Sequence, residues 1–236
     1  MTAAPHPEDL PFATRLVALP VPPDDGFTAD DLPRLMETID GPFELLDGDV
    51  VMMAPATFWH NQAVDILNSA LAGQAPASVV VAREAGIRLG TSVPIPDVLA
   101  LTREAVAADA VAVDPHAVLL AVEVLSPRTK TKDRKLRPAQ YAEAGIACFW
   151  RVENEDDAMV VYTFELLPEG GAYAPTGVHR HRVVEAEQAA PGGVVGDDAR
   201  RDMPIPDTVL ARIHDETQAV FPFLHVLFQP AEANDV

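Results

Sequence analysis

The chain has 236 residues, 48% of them hydrophobic, which is enough for one sizeable core with appended ends. A net charge of −19 excludes a protein that coats nucleic acid non-specifically, because phosphate binding runs on neutralising cations. One cysteine excludes an internal disulfide, and no apolar run is long enough for a bilayer and no basic, then apolar, leader is present, so a soluble, cytoplasmic protein without membrane contact is expected.

Residues 1–25 are rich in Pro, Ala and acids, lack periodicity, and read as a poorly ordered arm. A folded domain is expected over 26–185. It opens with a short helix over Thr28–Ile39, where Thr28 is followed three residues later by an acid and then by Leu and Met at helical spacing. Two apolar runs, Phe43–Leu46 and Asp49–Met53, flank Asp47-Gly48 and predict a tight hairpin carrying Glu44 on its first arm. Ala63, Val64, Ile66, Leu67, Ala70 and Leu71 form a helical stripe within Thr57–Gly73, with His60 in the first turn and Gly73 as the stop. Ser78–Ala82 and Gly86–Leu89 read as strands. Pro94 and Pro96 then fix the entry to a further strand, Val98–Leu101, and hold Asp97 at its start. Residues 102–114 form a helix or an irregular crossover.

Val118–Leu125 is the most apolar strand and is expected to be central, since a continuous apolar run fits burial on both faces. It carries one carboxylate, Glu123. A lone charge there is costly unless a metal ion or a cation pairs with it. All three lysines of the chain, Lys130, Lys132 and Lys135, follow within a few residues, together with Arg128, Arg134 and Arg137. Pro138 is tolerated in a first helical turn but not in an interior, which predicts a helix from about Leu136 to Ala144, stopped by Gly145, with Lys135 at its edge. Strands over Ala147–Val152 and Ala158–Phe164 follow, joined by an acidic turn, Glu153–Asp157. Short strands are expected at Tyr173–Ala174 and His179–Val184. Residues 186–228 form an extension whose helical pattern at Asp207–Ala219 would pack on the domain, and 229–236 read as a tail.

If the strands carrying Asp97 and Glu123 are neighbours, the two carboxylates can share a divalent cation, and hard oxygen ligands of this kind suit Mg²⁺ or Mn²⁺. Glu123 shares a face with Ala121 and Leu119, which leaves room in front of it. Other candidates are weaker. His179 and His181 alternate on a strand with no Cys or third His beside them. Glu84 reads as a surface acid, Trp59 and Trp150 as core, and Cys148, between Ala147 and Phe149, as a buried strand thiol.

Glu44-Leu-Leu-Asp-Gly48, Met53-Ala-Pro55, His60, Pro96-Asp-Val98, Val122-Glu-Val-Leu-Ser-Pro127, Asp133-Arg134, Tyr141-Ala-Glu-Ala-Gly-Ile146 and Phe149-Trp-Arg-Val152 occur in order. Together they resemble the Uma2 family of proposed restriction endonucleases, a branch of the PD-(D/E)XK nuclease superfamily, over roughly Asp40–Phe164. The resemblance implies an α+β domain, a restriction-endonuclease-like mixed central β-sheet flanked by helices. It also implies DNA as substrate, Asp97 and Glu123 as metal-binding carboxylates, the backbone carbonyl of Val124 as a further ligand, and Glu44 as a third acid. The superfamily's usual Lys, two residues beyond the Glu, is Leu125 here. In Uma2-like sequences that Lys has moved to the following helix, at the position of Arg137. Arg stays charged and cannot serve as a base, so Lys135 is the competing cation. Two functions are therefore in play: a Mg²⁺-dependent endonuclease, or a catalytically degenerate nuclease-fold module for binding or assembly. A homodimer is compatible with either.

Overall fold

The computed structural model describes residues 19–125, 130–156 and 158–182, with side chains for all of these except 130–133 and 182. The expected features beyond 182, the segment before residue 19 and Arg128 lie outside the described residues. Thr28 takes a bond from the Asp30 amide while Asp31 accepts from the Thr28 amide at 2.9 Å, a closed capping box. A 3₁₀ turn at Ala29–Asp31 thereby leads into α1 (Leu32–Thr38). Strands β1 (Phe43–Leu46) and β2 (Asp49–Met52) form the predicted hairpin, with positive φ at both Asp47 (52°) and Gly48 (85°), as a two-residue primed turn requires. Gly48 is further constrained because a Cβ there would lie 2.6 Å from the Gly26 Cα. The hairpin is tied to the segment before Asp97: Gly48 N–H donates to the Thr91 carbonyl at 2.8 Å and Val93 N–H to the Leu45 carbonyl at 2.9 Å.

Helix α2 (Phe58–Gln74) starts where Thr57 accepts from the His60 amide at 3.2 Å, and it ends one residue past Gly73. The remaining elements are β3 (Val79–Ala82), β4 (Gly86–Ile87), β5 (Val98–Thr102), β6 (Ala112–Val113), β7 (Val118–Val124), α3 (Lys130–Glu143), β8 (Cys148–Glu155), β9 (Ala158–Leu166) and β10 (Tyr173–Arg182). Six strands form one sheet in the order β10-β9-β8-β7-β5-β3. Only the β7–β8 pair within it is parallel, joined across α3, so the sheet is mixed. β4 and β6 make a separate short parallel pair. The predicted α+β architecture is present, and β7 lies in the sheet interior, as its unbroken apolar run implied.

The period-2 alternation divides the core. Val98, Leu120, Val122, Trp150 and Val152 pack on one face with Leu67 and Leu71 of α2, and Leu99, Ala121 and Phe149 pack on the other with Tyr141 of α3. The hairpin, α1 and Phe27 enclose a third cluster around Leu45. Cys148 and Trp150 are buried, and Trp59 packs against the α2 face. No helix among the described residues is long and apolar enough to cross a membrane.

Three expectations are corrected. Helix α3 begins at Lys130, not near Leu136, and Pro138 lies inside it. The interruption is outweighed by ion pairs of Arg134 and Arg137 before the proline and a hydrogen bond of Tyr141 after it, described below. The acidic run at Glu153 is strand as far as Glu155, because the β8–β9 ladder continues to Glu155 opposite Ala158 and buried Glu153 is met by Arg134 and Arg151. β10 is one strand with a bulge between Pro175 and Gly177, rather than two short ones. Residues 102–114 take the irregular alternative, with a 3₁₀ turn at Arg103–Ala105 and the short β6.

Candidate active site

β5 and β7 pair antiparallel with Val98 opposite Val122, so one step further along the ladder Asp97 comes opposite Glu123. The strands that carry or adjoin the two carboxylates are therefore neighbours, as expected. The Asp97 carboxylate is held at both oxygens: Oδ2 accepts the Val124 N–H at 2.6 Å and Oδ1 faces His60 Nε2 at 2.9 Å. Next to a carboxylate, Nε2 is the ring nitrogen that carries the proton. His60 reaches Asp97 because the Thr57 cap starts α2 three residues before it.

Glu123 is buried, with 9% of its side chain exposed. The hydroxyl of fully buried Tyr141 donates to its Oε1 at 2.5 Å, and Arg137 Nε lies 3.6 Å from the same oxygen. Burial, and after it the Glu123 charge, hold the Tyr141 phenol well above its usual pKa, so it remains a donor. The guanidinium of Arg137 reaches across to Glu44 through Nη2 and donates to Gln140 Oε1 through Nη1 at 3.1 Å. Arg137 and Glu44 have 4% and 6% of their side chains exposed. Glu44 points to this group because its neighbours Phe43 and Leu45, on the other face of β1, are in the hairpin core.

The structure thus groups Glu44, Arg137, Tyr141 and Glu123, and separately Asp97 with His60 and with the N–H of Val124, the residue after Glu123. Lys135 lies on the exposed side of α3, since residues two apart on a helix point to nearly opposite sides. The side chain of Asp133 lies outside the described residues. Sequence reasoning did not assign Tyr141 a role, although it stands one turn beyond Arg137 on the same helix face. It also missed the second set of ion pairs, in which Glu153 takes Arg134 and, at 2.8 Å, Arg151.

Asp97 and His60 open onto a cleft of about 1280 Å³ whose walls include Met53, Pro55, Arg83 and Arg103. Both arginines are already engaged, Arg83 by Asp65 and Arg103 by the carbonyls of Ala77 and Val79. Glu84 is exposed. Burial lowers the pKa of His179 on β10, and no group of three His, Cys, Asp or Glu that could hold a metal is found among the described residues.

The architecture is an α+β domain, a mixed sheet with acids near the ends of two neighbouring strands and a helix that carries a buried cation. The chain belongs to the Uma2 family, whose model, described as "Putative restriction endonuclease", matches residues 29–200. Among solved structures, one described as a "putative nuclease belonging to DUF820 from Anabaena variabilis" is 13% identical, with a TM-score of 0.49, over 78% of this chain and 92% of that one. No curated protein matches the sequence.

Proposed function

We propose that this chain is a divalent-metal-dependent endonuclease that hydrolyses DNA phosphodiester bonds, with Asp97, Glu123 and the Val124 carbonyl as metal ligands. The observation that carries the reading is the pairing of β5 and β7 in a register that runs toward Asp97 and Glu123, in a chain of this family. The donor set suits Mg²⁺ or Mn²⁺. Only hard oxygens are offered, and two carboxylates completed by water and substrate phosphate are what Mg²⁺ ordinarily takes. Asp97 is met by His60 and the Val124 amide, while Arg137 is set between Glu44 and Glu123.

A bound ion would supply polarisation of a phosphoryl oxygen and a more acidic water as nucleophile. The protein's own part is orientation. The Val124 amide and His60 fix the Asp97 carboxylate, and Tyr141 fixes that of Glu123. Arg137 is a positioning residue: it is buried, always charged, and cannot take a proton. Lys135, exposed, has no part in the chemistry.

The test is nicking of plasmid DNA by purified protein in Mg²⁺ or Mn²⁺, for the wild type, Asp97→Ala and Glu123→Ala. Activity in the wild type and its loss in both variants is expected, and equal activity in all three sinks the reading. One observation favours the degenerate module instead: the family's catalytic Lys position is Arg137, bound to both Glu44 and Glu123. Calorimetry separates the two, since a module predicts no binding of Mg²⁺ or Mn²⁺ at millimolar concentration.

A further inference from the structure

Glu44 is on the first hairpin, Glu123 on the interior strand β7, and Arg137 on α3, so three elements distant in sequence converge on one guanidinium. Arg137 bonds Glu44 through Nη2 and stands 3.6 Å from Glu123 through Nε, with all three side chains no more than 9% exposed. A cation between two buried carboxylates does the electrostatic work of a bound metal ion: it balances their charge and keeps them at a fixed separation. Asp97 is outside this arrangement, oriented instead by His60 and the Val124 amide. The two acids besides Glu123 are thus held in different ways, and no three acids or histidines among the described residues make a common ligand set.

We infer, on the metal-dependent reading above, that the site takes one divalent ion, at Asp97 and Glu123, and that the Arg137 guanidinium, seated between Glu44 and Glu123, stands in the place of a second. Glu44 is then not a metal ligand. Its role is to hold Arg137, and through Arg137 to hold Glu123 toward Asp97. A second divalent ion would have to displace the guanidinium and leave it buried beside two more positive charges, which the low-dielectric surroundings make costly. Arg suits this role where Lys does not, because its planar fork reaches two carboxylates at once and never loses its charge.

The experiment counts Mn²⁺ bound to the metal-stripped full chain, by calorimetry together with spin-resonance detection of free Mn²⁺. One ion per chain is expected for the wild type and for Arg137→Lys. Arg137→Met should gain a second, weaker ion between Glu44 and Glu123, and Glu44→Gln/Arg137→Met should lose it again. Two ions in the wild type, or a folded Arg137→Met that still binds one, overturns the inference while leaving metal dependence intact. No ion in the wild type removes metal dependence itself and this inference with it. Should Arg137→Met not fold, Glu44→Gln decides: one ion still bound, its affinity lowered less than tenfold as loss of a positioning residue allows, supports the inference, and a tenfold or greater loss makes Glu44 a ligand and overturns it.

Discussion

Replacing Arg137 by Met keeps most of the stem volume and removes the charge, leaving Glu44 and Glu123 buried without their shared cation. Removing one partner of a buried ion pair costs about 3–5 kcal/mol, mostly the penalty for the stranded charge. For a domain held by about 5–15 kcal/mol this is a large fraction of its stability. At about 3 °C per kcal/mol for a chain of this size, a loss of about 4 kcal/mol lowers Tm by about 12 °C. Neutralising one stranded acid should return part of it. The double variant Glu44→Gln/Arg137→Met is therefore expected to be more stable than Arg137→Met alone, with a coupling energy between the two sites of about 2 kcal/mol. Urea unfolding of the wild type, both single variants and the double variant measures the cycle. If Arg137→Met unfolds within about 1 kcal/mol of the wild type, or the two changes simply add, the guanidinium is not the counter-ion on which the site depends.

Three further outcomes are expected. Burial raises the pKa of Tyr141 and Tyr173, and a hydrogen bond to Glu155 raises that of Tyr162, so every tyrosine of the chain keeps its proton in the fold where the unfolded chain, with the ordinary tyrosine pKa of about 10, has begun to lose it. Their contribution to stability is full below about pH 10 and is lost as pH rises beyond it; phenolate absorbance should emerge together with unfolding, and ordinary titration of all three in folded protein refutes this. Lys135→Ala, at an exposed position, should change stability by no more than about 0.5 kcal/mol and leave nicking intact, whereas a large loss of nicking would restore Lys135 to the site. Glu153→Gln removes the shared acid of Arg134 and Arg151, and hydrogen exchange of the α3 amides should quicken while that of α2 stays as it was; equal protection in α3 would show that the pair does not dock the helix.

The parts of the fold that were legible are those where local chemistry and tertiary demand agree. Asp47-Gly48 announces a turn that needs two positive φ values, and Thr57 announces a helix start, and both stand where the residues place them. The carboxylates were legible as well, because an acid in an apolar run is a conflict that some partner must resolve. What could not be read is the identity of that partner. Pro138 argues locally for a helix start, since a proline in a helix interior costs about 3 kcal/mol or more. That cost is met by contacts no local pattern displays: Arg134 to Glu153 and Arg137 to Glu44 before the proline, Tyr141 to Glu123 after it. Glu153 fails as a turn residue for the same reason, its cations coming from α3 and from Arg151 two residues earlier on its own strand.

These contacts also change the meaning of the basic segment. Arg134, Arg137 and Tyr141 are spaced i, i+3 and i+7, a single stripe along α3, and each meets a carboxylate of β1, β7 or β8. A helix seated by charge-assisted bonds is fixed in rotation more strictly than one seated by an apolar stripe, because a turn of one residue would break the bonds of α3 to three buried acids. The bonds that dock α3 are thus the bonds that aim Glu123. Of the segment's three cations with described side chains, Arg137 is a buried counter-ion, Arg134 is exposed but pairs with buried Glu153, and Lys135 is exposed. A basic run in a chain of net charge −19 reads in sequence as a phosphate-binding patch. In its described part it is instead mainly the interior electrostatics of an acidic site.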